Sequence, residues 1–278
     1  MASSLRLIAL TLALGAASAA HAQDKYNVAL DGTFAPHAMP KLGGGVEGFN
    51  VDLANAVGEK LGVEMDITAT QWSGLLPALQ AGTYDFIVAP TTVTEERAES
   101  LLFTEGYLNT DFQFVVKAGH EPVTDLKQFA GKTIAVNKGS VYDSWARELE
   151  PEIGWTVESY GTNADAVQAV ISGRADANVA GNTASQWLAK KSPELDISYN
   201  FVTGKVWAMP FRKDDAATRD KVEAALECLK LDGTMAALSE KWFGVTPPEG
   251  AAAVTVQVGF GEPGYNGYDE TPHEATCD

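Results

Sequence analysis

The stretch Leu79-Gln80-Ala81-Gly82-Thr83-Tyr84-Asp85-Phe86-Ile87-Val88-Ala89 has a counterpart later in the chain, Val170-Ile171-Ser172-Gly173-Arg174-Ala175-Asp176-Ala177-Asn178-Val179-Ala180. Each reads as a helix end, a Gly stop, a turn Asp three residues on, and a short apolar run of the kind that forms a buried strand. The likeness is too weak for a solenoid repeat and predicts two lobes built on one plan. In each lobe the strand delivers the residues that follow it to the carboxyl edge of a sheet, which is where open α/β folds bind ligands. Pro90 to Arg97 and Gly181 to Thr183 are therefore expected to face one another across a cleft.

Outward from these units, short β-like runs alternate with helical patterns, so the chain reads as α/β with largely parallel sheets. Tyr26 to Leu30 predicts a strand. Leu53, Ala56, Val57 and Leu61 keep helical spacing over Asn50 to Leu61, and Gly62 ends that helix. Val63 to Ala69 alternates as a strand. Phe112 to Val116 reads as an extended crossover and Tyr199 to Val202 as its return, which predicts a hinge of two crossover strands and one lobe made of two chain segments. The boundaries expected are 23–111 and 205–244 for the discontinuous lobe 1, and 112–204 for lobe 2. Val222, Ala225, Leu226 and Leu229 share one face of a helix over Asp215 to Leu231, with Gly233 after it. Residues 245–278 follow as a C-terminal extension rich in Pro, Gly and aromatics, expected to pack on lobe 1 through Phe260, Tyr265 and Tyr268.

Residues 1–22 carry Arg6, an apolar run from Leu7 to Leu14 and the small-residue sequence Ala20-His21-Ala22, the pattern of a cleavable signal peptide. The run is much shorter than the roughly 20 residues a membrane-spanning helix needs. The formal net charge of −17 argues against nucleic acid or an anionic membrane surface as partner. Two cysteines, Cys228 and Cys277, in an exported chain are expected to pair and pin the extension. The alternative is a buried Cys228 and a free thiol at Cys277. The four histidines are scattered, no Cys/His/acid cluster has metal-ligand spacing, and neither a phosphate loop nor a nucleophile elbow is present. No metal, cofactor or catalytic residue is expected.

Thr91-Thr92-Val93-Thr94-Glu95-Glu96-Arg97 follows the first buried strand directly, with Thr94 placed to cap a short helix. A strand end, hydroxyls, free helix-terminal N–H groups and an Arg fork together suit a carboxylate. From these residues alone, a surface Arg97 paired with Glu95, Glu96 or Glu99 competes with that reading.

Seven motifs stand in a telling order: Asp31-Gly32-Thr33-Phe34-Ala35-Pro36, Gly48-Phe49-Asn50-Val51-Asp52-Leu53-Ala54, Gly74 to Gly82, Thr92 to Arg97, Lys138-Gly139-Ser140, Gly173-Arg174-Ala175-Asp176-Ala177, and Asp232-Gly233-Thr234 with Lys241-Trp242-Phe243-Gly244. From about Tyr26 to Gly244 the chain resembles the polar-amino-acid family (family 3) of periplasmic solute-binding proteins of ABC importers. The resemblance implies a two-lobed type II fold and capture of a small carboxylate-bearing zwitterion, as monomer, for an inner-membrane permease. It implies that Arg97 clamps the ligand carboxylate with help from Thr92, and that Phe34 and Trp72 line the pocket. It places Ser140 and Val141 where the second lobe contacts ligand, and Asp31 where a ligand nitrogen is accepted.

One departure bears on the ligand. Where the family has an acid for the ligand ammonium, five positions after Asp176, this chain has Gly181 followed by Asn182, and Asn182 is expected among the ligand-binding residues. Either Asp31 supplies that anion, or a substituted, betaine-like ammonium is held by aromatic faces, with Phe34, Trp72, Trp145 and Trp207 as candidates. Pro90 also has no backbone N–H to offer. The competing function is a cyclohexadienyl dehydratase-like enzyme on the same fold, for which Glu47, Asp143 or Glu105 would be the acid or base; each reads better as a loop or helix-surface carboxylate.

Overall fold

The computed structural model describes residues 25–275 and Cys277; the signal-peptide region lies outside the described residues. Two sheets organise the chain. The first has the strand order Glu64–Thr70, Lys25–Asp31, Phe86–Ile87, Pro210–Arg212, Leu101–Phe103, with the first three parallel and Pro210–Arg212 antiparallel to its neighbours. In the second, Thr156–Tyr160, Thr133–Asn137 and Ala177–Gly181 are parallel, and Leu108–Lys117, Leu195–Ala208 and Thr91–Thr92 continue it antiparallel. Val28, Ala29 and Leu30 are fully buried in succession, as a strand covered on both faces requires.

Leu108–Lys117 and Leu195–Ala208 are the two crossover strands, and they run side by side with Phe201 opposite Phe112. Their register shifts between Ile197 and Asn200 and again between Phe201 and Lys205. Asp111 bridges the irregularity, accepting from Asn200 Nδ2 at 3.1 Å and from the Thr203 backbone N–H at 3.0 Å.

Helix boundaries follow local chemistry. Phe49–Leu61 begins one residue before the sequence pattern and stops at Gly62, which takes the left-handed conformation (φ 67°) and donates to the last turn. The late helix is Ala216–Leu231, with Val222, Ala225, Leu226 and Leu229 buried. Its charged face is buried too: Arg219, Glu223, Glu227 and Lys230 are covered by the chain beyond Val245.

That covering is a network of charge-assisted bonds. Lys230 Nζ lies 2.6 Å from Glu105 Oε1 and donates to the carbonyls of Gly106 (2.7 Å) and Thr255 (2.9 Å). Glu223 accepts from the Gly261 N–H at 2.7 Å, Glu262 accepts from the Gly106 N–H at 2.8 Å, and Arg219 donates to the carbonyls of Phe103 and Gly267. His273 lies 3.0 Å from Glu227 and stacks on Phe260 with centroids 3.8 Å apart. Phe260, Tyr265 and Tyr268 are half-buried, and the Cys228–Cys277 disulfide closes the arrangement with Cα atoms 5.3 Å apart. Glu105 is thus a fully buried ion-pair partner, which corrects its reading as a surface carboxylate: the extension, distant in sequence, covers it. The convergence of Glu105, Glu223 and Glu227, with ligating atoms within 4.8 Å, likewise has no signature in sequence spacing; Lys230 supplies the countercharge.

Burial pushes the Glu223 carboxyl up to about 8. A carboxyl raised in the folded state binds its proton more tightly there than in the unfolded chain. Its contribution is therefore fully present below the unfolded value and is lost as pH rises through about 8. Between pH 6 and pH 8 the parent should lose about 2 kcal/mol of unfolding free energy that Glu223→Gln does not lose, since one pH unit corresponds to about 1.4 kcal/mol per proton. Urea titrations of both chains across that range check this; superimposable pH profiles would count against it.

Candidate functional site

The carboxyl ends of the parallel strands in the two sheets meet. From the first sheet come Asp31 at the end of Lys25–Asp31, Trp72 opening the helix Trp72–Gln80 and Ala89-Pro90 after Phe86–Ile87. From the second come Asn137, at the end of Thr133–Asn137, and the start of the helix Val141–Ile153, capped by Ser140 accepting from the Asp143 N–H at 3.2 Å. Between them lies a pocket of about 350 Å³. It brings together Asp31, Phe34, Trp72, Thr92, Arg97, Ser140 and Val141, with Ala89, Pro90, Asn137 and Tyr142 completing the wall.

Arg97 stands in the first turn of Glu95–Ser100, which Thr94 caps by accepting the Arg97 N–H at 3.2 Å. Its Nη1 donates to the Thr92 carbonyl at 2.9 Å, and the guanidinium carbon sits 5.4 Å over the Trp72 ring. No ion pair to Arg97 is present among the described residues. Desolvation pulls its pKa down to about 10, so it remains a cation at neutral pH. Asp31, buried, accepts at Oδ1 from the Thr33 N–H (2.9 Å) and hydroxyl (2.7 Å), and at Oδ2 from Asn137 across the cleft at 3.3 Å. One fork-shaped cation and one oriented carboxylate thus face the same enclosed space, flanked by aromatic rings.

Three expectations are corrected. Asn182, the first residue of the helix Asn182–Lys191, does not line the pocket. Trp145 is turned into the second lobe, its ring 5.0 to 6.1 Å from those of Phe201, Phe112, Trp155 and Phe114. Trp207 is fully buried behind the wall, where its Nε1 donates to Thr92 Oγ1 at 3.1 Å.

The position of Trp207 also accounts for Gly181. A Cβ at residue 181 would collide with the Trp207 ring and would lie 2.9 Å from the Tyr142 hydroxyl. Indole and phenol fill the space a side chain there would need, so glycine is what the close packing of these three residues accepts. Asn137 and Tyr142 are absent from the sequence expectations. They flank the quoted Lys138-Gly139-Ser140 motif, and the first-turn position of Tyr142 beside Val141 is the one local sign of its role.

The lobes are tied by bonds of their own. Trp72 Nε1 donates to the Gly139 carbonyl at 2.9 Å. His37, fully buried, is held neutral by desolvation, with its pKa down at about 3. Its Nδ1 lies 2.9 Å from Asn50 Oδ1, an acceptor, so that nitrogen carries the proton, and Nε2 accepts from the Thr183 hydroxyl at 2.8 Å. Asn50 Nδ2 in turn donates to the Val88 carbonyl and to Tyr107 Oη.

Comparison with known proteins agrees with this architecture. Residues 26–245 match the bacterial extracellular solute-binding proteins, family 3. The chain is 34% identical over 206 residues to the probable amino-acid-binding protein YxeM of Bacillus subtilis (strain 168), covering 73% of this chain and 78% of that protein. Among solved structures it is similar to an ancestral arginine-binding protein bound to arginine, with TM-score 0.77 and 31% identity over 81% of this chain and all of that one. It is also similar to the ancestral amino acid-binding protein AncCDT-1, described as a precursor of cyclohexadienyl dehydratase, with TM-score 0.74 and 29% identity over 79% of this chain and 96% of that one. With the two-sheet fold, the cleft and the match over residues 26–245 in agreement, this protein belongs to the family-3 bacterial extracellular solute-binding proteins.

Proposed function

We propose that the protein is the periplasmic receptor of an ABC importer, and that it takes a small zwitterion with its carboxylate on Arg97 and its cationic nitrogen directed at Asp31. The observation that carries this reading is the ion-unpaired Arg97 guanidinium facing the same pocket as a buried, oriented carboxylate. A desolvated cation without an anion is costly, and a ligand carboxylate removes that cost. Phe34, Trp72 and Tyr142 line the pocket, so a secondary or substituted ammonium is accommodated along with a primary one. With Trp145 and Trp207 away from the wall, the aromatic share is smaller than the sequence suggested and Asp31 is the principal cation partner.

The enzymatic alternative finds little support. Among the described residues, Asp31 is the one carboxylate in the lining, and it is engaged by Thr33 and Asn137. Of the carboxylates that such an enzyme would need, Glu105 belongs to the covered network under the extension. Asp143 accepts from the Gly139 N–H at 2.9 Å and pairs with Arg147, and Glu47 lies on the short strand Val46–Glu47.

A thermal-shift panel of primary amino acids, proline and glycine betaine, followed by calorimetry of the best binder, tests the reading. Asp31→Asn should weaken that binder at least tenfold, because it removes one partner of a desolvated charge pair. Undiminished binding in Asp31→Asn would take the cation away from Asp31. Turnover of prephenate by the parent chain would favour the enzyme instead.

A further inference from the structure

His37 stands at the joint between the lobes and outside the ligand pocket. Its ring is boxed by those of Phe34 (centroids 5.5 Å apart), Phe49 (5.9 Å), Trp207 (4.9 Å) and Phe243 (5.4 Å). Among the described residues two side chains bond to it: Asn50, which takes the Nδ1 proton, and Thr183, whose hydroxyl donates to Nε2. Asn50 belongs to the helix Phe49–Leu61, which packs on the first sheet. Thr183 belongs to Asn182–Lys191, which follows the strand Ala177–Gly181 of the second. One nitrogen of the ring is therefore satisfied from its own side of the cleft and the other from the opposite side.

Among the described residues no anion meets this ring. Asp52, on the same helix as Asn50, is bonded to Lys241 and Trp242 at 2.7 and 2.6 Å. Asp31 is engaged by Thr33 and Asn137, Glu240 by Thr246, and Glu47 on the neighbouring hairpin strand makes no bond to the imidazole. Lys190, Lys191 and Lys241 on the flanking helices are cations and oppose another positive charge, and Lys205, on the strand of Trp207, lies against Tyr265. Tyr107, reached through Asn50, is kept protonated by burial. Desolvation thus governs His37 and outweighs the Asn50 bond. A ring protonated on both nitrogens has no lone pair for the Thr183 hydroxyl, and it would bury a cation with no partner.

Parting of the lobes withdraws Thr183 from Nε2. Thr183 and Phe243 also line a groove at the surface, so the edge of the ring that Thr183 covers then meets water, where imidazole takes up a proton near neutral pH. We propose that His37 is a proton lock between the lobes: it must be neutral for the cleft to close, so ligand capture expels a proton and weakens as the surroundings turn acid. The proposal rests on the receptor reading given above, in which a closed cleft holds the ligand. The closed form holds His37 at a lowered pKa and binds fewer protons than the open form, so affinity is complete above the open-state value and falls below it. With an ordinary open-state value of ~6.5, going from about pH 7.5 to about pH 5.5 weakens binding about tenfold.

The experiment is calorimetry of the exported chain and of His37→Gln at those two pH values, since Gln offers Thr183 an oxygen that does not titrate. The probe is whichever of the primary amino acids, proline and glycine betaine the thermal-shift panel selects. The parent should lose about tenfold in affinity on acidification, and His37→Gln should lose none of it. Repeating the parent titration near pH 6 in buffers of different ionisation enthalpy should show release of most of one proton per molecule bound, a readout that holds even where the variant fails to fold. The His37 ring resonances should titrate near neutral pH in the unliganded chain and stay fixed in the liganded one. An equal pH dependence in His37→Gln, or binding by the parent without proton release, would overturn the proposal. If the panel selects no binder, the receptor reading fails on its own, and small-angle scattering of the unliganded chains decides the lock: the parent should expand on acidification and His37→Gln should not, whereas matching profiles would count against it.

Discussion

Arg97→Ala is expected to reduce affinity for the best zwitterion of the panel by a hundredfold or more while leaving the fold in place. The guanidinium is desolvated, and no side-chain anion pairs with it among the described residues. Removing a charge-assisted, bidentate contact from such a site typically costs about 3 kcal/mol or more. Stability should suffer little, because the side chain's own protein contacts are one hydrogen bond to the Thr92 carbonyl and the face of Trp72, and losing an unpaired buried cation offsets them. Arg97→Lys should fall between the two chains: it keeps the charge and loses the fork. Calorimetry, with thermal unfolding as the control for folding, checks all three. Parent-like affinity in Arg97→Ala would remove the carboxylate from this position.

Cys228→Ser is expected to lower unfolding free energy by about 4 kcal/mol, the chain-entropy value for a closed loop of this length. The bonded cysteines are 49 residues apart, and the loop between them carries the polar groups that satisfy the buried face of Ala216–Leu231. When the link is absent, the extension can leave as a unit and expose Glu105, Glu223, Glu227 and Lys230 together. The loss should therefore appear in denaturant titrations as a lower midpoint, and in hydrogen exchange as faster exchange at Gly261 and Gln257, whose N–H groups bond to Glu223 and Glu105. The same shift should follow reduction of the parent. Thiol counting on the unfolded, unreduced protein should find no free thiol, and two per chain would refute the link.

The disulfide and the charge network make one device. Burial raises Glu223, Glu227 and Glu262 towards their protonated forms, opposed by hydrogen bonds from Gly261, His273 and Gly106 and reinforced more weakly by repulsion from Glu105. Lys230, also desolvated, is lowered. Such a cluster has specific geometry and limited net stabilisation, and the covalent link supplies the strength that charge burial does not.

Much of this molecule is legible in its residues. The alternation of apolar runs with helical spacing gives the α/β class, the two Gly-stopped units give two lobes, and the Thr94 cap with Arg97 three residues on places a cation at a strand end. These are local relations: periodicity, capping and turn chemistry act over a few residues, and neighbours in sequence are neighbours in space. The Cys228–Cys277 pairing was one of two readings the sequence offered, beside a buried Cys228 and a free Cys277 thiol, and the structure closes the link.

Contacts between distant residues were not readable in the same way. Trp145 and Trp207 are equally aromatic, yet one packs inside the second lobe and the other lies behind Thr92, 115 residues away in sequence. The register of the antiparallel pair that sets Trp207 opposite Thr92 decides which ring approaches the cleft, and a slip of one residue would turn it to the other face. Glu223, Glu227 and Lys230 look like solvated positions by pattern, because a charged helix face ordinarily meets water, and Glu105 looks like a loop carboxylate between two strands. They are buried because the chain from Thr255 to His273 folds back over all four. Sequence alone determined the fold class, the two lobes and the position of Arg97, since local forces suffice for those. The tertiary structure decided which rings wall the pocket, why residue 181 is glycine and where the charges are hidden, since each depends on how chain segments far apart are brought against one another.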